Sequence, residues 1–221
     1  MLTESMKLSR NLLSKLCSKR DEESGCFQIR SFSVGFTLLD VCLGLGLRVV
    51  GPKFNLNEIE VESNCRKMFQ TKNVDLSTLY DFLMRNKKEI FVPDFCRVYI
   101  LLGICEFLLP NRSGRVFPIL FKLVDDIEGL GNLNWGVVVY EYLVGSICHA
   151  SFLFKRGETK RHYHIDGCVY LLQVWIFDFV FTLLEWCCNI CCRSTNLLHS
   201  YVLYLWAYEH LLMWSQKVDV C

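Results

Sequence analysis

The chain has 221 residues, 52% hydrophobic and 21% charged, and its 24 basic side chains are offset by 23 acidic ones to leave a net charge of +1. That is enough apolar surface to close a core, which excludes a disordered chain, and the length excludes a large multidomain assembly. The near-neutral balance excludes a global field drawing the chain to nucleic acid or an anionic membrane, so any such contact has to come from a local patch.

In chain order, Leu8, Leu12, Leu13 and Leu16 recur at helical period among Lys7, Arg10, Lys15 and Lys19, which predicts an amphipathic helix broken by Asp21 to Gly25. Met1 to Arg20 has no unbroken apolar run, so a signal peptide is not expected. Phe27 and Ile29 alternate with Gln28 and Arg30 as in a short strand. Thr37 and Asp40, three apart, are placed to cap a helix through Leu43 that Gly44, Gly46 and Gly51 end. Pro52 to Lys72 reads as a loop with one helical turn around Cys65 to Phe69. Asp75 is positioned as the N-cap of a helix carrying Leu76, Leu79, Leu83 and Met84 into Arg85, Lys87 and Lys88.

Pro93 starts a strongly apolar helix that is expected to run to Pro110. A turn at Asn111 to Arg115, a helix over 116–124 and an acidic loop of Asp125, Asp126 and Glu128 follow. Trp135, Val138, Val139, Tyr142, Leu143 and Ile147 predict another buried helix. After a polar stretch with His162 and His164, two last apolar segments cover about 167–187 and 197–214, where Asp178, Glu185, Arg193 and Glu209 are the charged residues. Residues 167–184 approach the ~20 needed to cross a bilayer, yet Asp178 near the middle costs about 2.5–3.5 kcal/mol, comparable to the gain from the surrounding apolar residues.

Chemistry-bearing patterns are sparse. The cysteines from Cys17 to Cys168 have no regular spacing and read as small buried hydrophobes; Cys188 and Cys191 form one C-x-x-C without the second pair a zinc site requires. Gly44 and Gly46 lack the third glycine and the preceding strand of a dinucleotide fingerprint, because Val49 stands in its place. Asp125, Asp126 and Glu128 lack the alternation of a calcium loop and read as solvated. The tryptophans Trp135, Trp175, Trp186, Trp206 and Trp214 lie apart from basic residues, as core aromatics do rather than base-stacking ones. No nucleophile, base and orienting group stand in a motif, so no enzyme is expected, and no cofactor, metal or small-molecule substrate is assigned.

The runs FTLLDVCLGLGLRVVG (Phe36 to Gly51), DFCRVYILLGICEFLLPN (Asp94 to Asn111), Val116 to Ile147 and GCVYLLQVW (Gly167 to Trp175) together resemble the plant mobile domain. That family is also labelled aminotransferase-like, and its members look transposon-derived; related plant domains often precede a ubiquitin-like-protein protease. The matching positions are Asp40, Gly44, Gly46, Arg97, Pro110, Asp125, Asp126, Trp135, Gly136, Gln173 and Trp175. The resemblance implies a helical domain of nuclear context, some relatives acting in genome stability and transposon silencing. It implies no aminotransferase, for no pyridoxal-binding lysine with Asp and Arg partners stands here, and no protease residue is carried over. The chain departs from the pattern by showing both LLQVWIFDF and LYLWAYEHL, with residues about 180–204 between them readable as translated intron.

These readings give an all-α (mainly helical), single compact multi-helix domain with at most a short N-terminal β-hairpin, in which helices near 93–109, 116–124, 134–149 and 167–186 pack together. Residues 10–177 form the mobile-like domain and 178–221 an atypical apolar extension. The expected function is a non-catalytic nuclear interaction module with a protein partner. Arg85, Lys87, Lys88, Arg112, Arg115, Lys155 and Arg161 are its candidate surface for an acidic partner or nucleic acid. The alternative is a protein held at a membrane by 167–190.

Overall fold

A computed structural model describes residues 10–29, 32–58, 62–71, 73–85, 91–157 and 164–191, with side chains from 11 to 180. It is mainly helical with one two-stranded antiparallel hairpin among the described residues. Where one compact body was expected, contacts divide the chain into two units, Met1–Val34 with Val169–Cys221, and Gly35–Cys168.

In the first unit α1 (Arg10–Ser18) buries Leu12, Leu13, Leu16 and Cys17, the stripe its period predicts. The breaker at Asp21 to Gly25 is a hydrogen-bonded turn: the Asp21 carboxylate accepts from the Ser24 amide at 2.8 Å and its hydroxyl at 2.6 Å, and Gly25 takes a positive φ of 70°. The strand read at Phe27 is β1 (Phe27–Ile29), and it pairs with β2 (Phe32–Val34) in the register Phe27 to Val34 and Ile29 to Phe32. Phe27 is fully buried, with the Trp175 ring 5.7 Å away on α8 (Val169–Cys191). The helix starting at 169, expected to pack with the three before it, thus groups with α1 and the hairpin, and the 177/178 division falls inside it. Residues 192–204 and the side chains of 181–191, where the intron reading and the Cys187 to Cys192 cluster fall, lie outside what is described.

The second unit begins with α2 (Leu38–Leu45), entered through a reciprocal capping box: Thr37 caps the Asp40 amide, and the Asp40 carboxylate accepts from the Thr37 amide at 2.6 Å. Its stop is Gly46 in the left-handed region (φ 65°), while Gly44 lies within the helix. The expected helical turn near Cys65 is α3 (Asn64–Lys67). Next comes α4 (Leu76–Arg85), where Asp75 accepts from the Thr78 amide at 2.8 Å. Two helices open with proline in the first turn, α5 (Val92–Gly103) and α6 (Pro118–Asp125). The sequence suggested one unbroken helix to Leu109; α5 instead stops at Gly103 and widens into a π-helical turn, Ile104–Leu108, closed by the Leu109 amide on the Ile104 carbonyl at 2.9 Å. A 3₁₀ turn (Gly129–Asn132) leads into α7 (Trp135–Lys155), which buries Trp135, Val138, Val139, Leu143, Ile147 and Ala150 along one stripe. The buried Val, Leu and Ile side chains of that stripe each contribute about 1.5–3 kcal/mol.

Two glycines on α7 separate packing from propensity. A Cβ on Gly136 would come within 2.5 Å of Cys42 Sγ and 2.9 Å of the Arg48 carbonyl, whereas at Gly145 nothing lies within 4 Å. Urea unfolding of Gly136→Ala is therefore expected to lose about 1–3 kcal/mol by overpacking, and Gly145→Ala to gain up to about 1 kcal/mol from helix propensity. Equal effects at the two sites would contradict this packing.

The Thr78 hydroxyl and amide, followed by the Ser77 hydroxyl, hold the Asp75 carboxyl down to about 2 from 3.8. A depressed folded value means that the cap stabilises above pH ~4 and is lost as pH falls toward ~2. Asp75→Ala should cost about 1 kcal/mol at pH 7, and its midpoint difference from wild type should close across that acid window.

Candidate functional site

The positions that carry the family resemblance turn out to be joints of the scaffold. Asp125 and Asp126, read as a solvated acidic loop, have inward work: Asp125 accepts from the Asn64 and Cys65 amides, both at 2.8 Å, and so caps α3 from 60 residues away, while Asp126 accepts from the Gly129 amide at 3.0 Å. Trp135 is buried, its indole N–H donates to the Leu130 carbonyl at 2.8 Å, and Phe54 meets it edge-on at 4.9 Å. Gly136 donates its amide to the Arg48 carbonyl at 3.0 Å. Arg97 pairs with Asp94 at 2.7 Å, and Pro110 accepts from the Gly167 amide at 2.7 Å. Gln173 is buried on α8, where Trp175 also stacks with Phe179 at 6.4 Å.

The expected basic surface is dispersed. Arg112 and Arg115 share the exposed turn before α6. The backbone bridge between Asp75 and Arg115 ties that turn to the start of α4, so Arg85 at the helix's other end is about 15 Å away along the axis. Arg85 also pairs with Asp81 at 3.3 Å, an exposed bridge worth about 0–1 kcal/mol. Lys155 is exposed at the end of α7; Lys87, Lys88, Arg161 and His162 lie outside the described residues.

What the sequence did not single out is a groove of about 710 Å³ in the second unit. Its near wall is the loop Lys53 to Asn57, its floor the α7 face with Glu141, Tyr142, Gly145 and His149, and its far wall Phe117, His164 and Asp166. Tyr142 stands perpendicular to Phe117 at 5.5 Å. Burial, followed by the nearby Asp166 charge, pushes its phenol up, so the hydroxyl stays a hydrogen-bond donor at neutral pH. Lys53 and Glu141 are joined at 2.5 Å across the rim, each side chain half exposed.

Asp166 organises the far wall. One of its oxygens accepts from the Arg112 amide at 2.8 Å and lies 3.2 Å from His164 Nε2, and its own amide donates to Ser146 Oγ at 2.6 Å. His164 thus meets Asp166, and the Ser146 hydroxyl oxygen is held by a backbone amide. Among the described residues no three His, Cys, Asp or Glu side chains gather as a metal site. Cys65 and Cys105 are pushed up to about 12, chiefly by burial, and stay as protonated core thiols. Cys17, Cys42 and Cys168 are buried too, whereas Cys26, Cys96 and Cys148 are half-buried, less enclosed than their apolar neighbours suggested.

This is a helical domain with a groove of mixed apolar and polar lining and a scaffold of local caps. Residues 1–173 match the family described as Domain of unknown function (DUF8566), and the chain belongs to it. It is also similar to an Arabidopsis thaliana protein described as serine/threonine-protein phosphatase 7 long form homolog, 25% identical over 187 residues. That match covers 78% of this chain and 13% of the relative, so the chain spans a small part of the curated protein it resembles. No solved structure matches it significantly.

Two substitutions rank the far-wall contacts. Asp166→Ala leaves the Arg112 amide without its acceptor and should lower unfolding stability by about 1–2 kcal/mol, whereas His164→Ala breaks an exposed pair and should cost under about 0.5 kcal/mol. Equilibrium urea titration reads both, and the reverse order would mean that the imidazole holds this wall.

Proposed function

We propose that this chain is a non-catalytic interaction module of the transposon-derived plant mobile domain type, acting in the nucleus through a protein partner in transposon or genome maintenance. The observation that supports the reading is what the matched residues do: Asp40 and Asp125 cap helices, Trp135 and Gly136 close packing, and none of these four lines the groove. A site selected for reaction would place such residues around a cavity. The great length of the Arabidopsis relative beyond the matched region supports reading this part as an accessory to whatever the rest of that protein does; its printed phosphatase name belongs to that protein.

Arg112 and Arg115, exposed on one turn, are the part of the basic set best placed to touch an acidic partner or nucleic acid together. A second reading, attachment to a membrane through 167–190, draws on the 23 residues of α8, about 34 Å of helix against a hydrocarbon core of ~30 Å. Proximity labelling in plant nuclei with the chain as bait should enrich nuclear proteins, with labelling weakened by reversing charge at Arg112 and Arg115. Retention in the pellet after alkaline carbonate extraction would favour the membrane instead. Hydrolysis of a phosphate ester by the purified chain, abolished in His164→Ala, would end the non-catalytic reading.

A further inference from the structure

We propose that, within the interaction-module reading on which this rests, the groove of the second unit receives an arginine side chain presented by a segment of the partner protein. At about 710 Å³ the groove falls in the ~300–1,000 Å³ range of ligand sites. Phe54, Leu56, Phe117, Val138 and Tyr142 give it the apolar lining along which an aliphatic stem packs. Its floor is one face of α7, because Tyr142, Gly145 and His149 follow one another at helical spacing.

The sign of charge that the groove accepts follows from how its own charges are paired. Lys53 lines it as a fixed cation, but Glu141 holds that ammonium, and the two cancel at the rim. Asp166 has no fixed counter-charge. The Arg112 backbone amide at 2.8 Å and His164 Nε2 at 3.2 Å both meet its Oδ1, and among the described residues nothing donates to Oδ2. With the imidazoles of His149 and His164 neutral, the lining therefore carries one net negative charge, open on one oxygen. A phosphate or carboxylate entering here would meet Asp166 and gain only an ammonium that is already paired, whereas a cation gains the unshared oxygen.

Among cations, the surroundings of Asp166 suit a guanidinium. The Tyr142 hydroxyl and the His149 ring make no hydrogen bond among the described residues, so acceptors stand on more than one side of the groove. A guanidinium brings five N–H donors in one plane and is weakly hydrated, while an ammonium is a compact, strongly hydrated point charge. Phe117 and Tyr142, perpendicular at 5.5 Å, set aromatic surface in two planes where the floor meets the far wall, and a guanidinium stacks on such surface. The floor also leaves space. Gly145 is exposed on it with nothing within 4 Å of where a Cβ would stand, so no neighbour requires glycine in mid-helix, where it weakens the helix relative to alanine. A long side chain at that point would rise into the groove.

The probe is the peptide acetyl-Gly-Gly-Arg-Gly-Gly-amide, titrated into the isotope-labelled full chain at about pH 7.5, where an ordinary imidazole is mostly neutral, and followed by NMR. Saturable shifts at the Gly145, His149 and Asp166 amides are expected in the millimolar range. The citrulline counterpart, alike in shape but uncharged, should bind about tenfold more weakly, and lysine and glutamate counterparts more weakly than arginine. Asp166→Asn keeps an acceptor for the Arg112 amide and removes the charge, so it should lose about tenfold in affinity with an unchanged circular dichroism spectrum. Gly145→Leu should block binding with the same spectrum, and Glu106→Gln, which removes an equal charge outside the groove, should leave affinity unchanged. No saturable shift at the groove, equal binding of the citrulline or glutamate peptide, or full affinity in Asp166→Asn or Gly145→Leu would each overturn the arginine site. The interaction-module reading fails separately, if proximity labelling enriches no nuclear protein.

Discussion

The second unit depends on how closely the start of α7 can approach α2 and the loop after it. Gly136 sits where any side chain would collide with Cys42 Sγ and the Arg48 carbonyl, and its amide uses that closeness to donate to Arg48. The neighbours lock the same joint: Asn134 donates its side-chain amide to the Val49 carbonyl at 2.8 Å and its backbone amide to Pro52 at 3.1 Å, and Arg48 donates to the Gly131 carbonyl at 2.8 Å. Gly51, at φ 118°, has the Asn132 carbonyl where a Cβ would be. With 47–52 fastened in this way, the loop from Lys53 to Asn57 is set beside α7 and becomes the near wall of the groove. The absence of one carbon at Gly136 therefore positions a surface several residues away.

The same economy governs the charges. A near-zero net charge could conceal opposed patches, but here many acids are consumed one at a time by amides or bases close by: Asp21, Asp40, Asp75, Asp125 and Asp126 each accept from backbone N–H groups, and Asp94 and Glu141 hold Arg97 and Lys53. A carboxylate at a helix start or tight turn meets unpaired amides and favourable dipoles, which stabilises the local structure by about 1 kcal/mol. Among the described residues, what remains unpaired with a neighbouring amide or base includes hydrogen-bonding groups around the groove.

Legibility in the sequence followed range. Thr37 with Asp40, Asp75 before Leu76, Pro93 and the α7 stripe were readable because a cap acts over three residues and a helix repeats over 3.6. Asp125 was misread because its amide partners are 60 residues upstream, and nothing local in Asp-Asp-Ile-Glu distinguishes a cap for a distant helix from a solvated loop. Asp166 and Glu141 escaped for the same reason, since the groove exists only once Lys53, Arg112 and His164 are brought to them. The π-helical turn was invisible because Ile104 to Leu108 is a good α-helical pattern whose widening is set by packing, not by a breaker. The composition that led to one expected core could not say that α8 would group with α1 and the hairpin.

Apolar helices are also ambiguous between protein core and lipid, and α7 shows how the two are told apart. With 21 residues, of which an 18-residue stretch has a mean hydropathy of 1.5, it is long and apolar enough to cross a bilayer by length and composition. One face, however, is the buried stripe from Trp135 to Ala150, matched against residues of its own unit. The other carries Glu141, Ser146 and His149 toward the groove, and Glu141 and His149 are exposed. A lipid-facing helix would present hydrocarbon on that second face, because an ionised side chain at mid-span costs about 2.5–3.5 kcal/mol. About a third of the apolar span of α7 is buried in its core stripe, and its polar face is the floor of the candidate site.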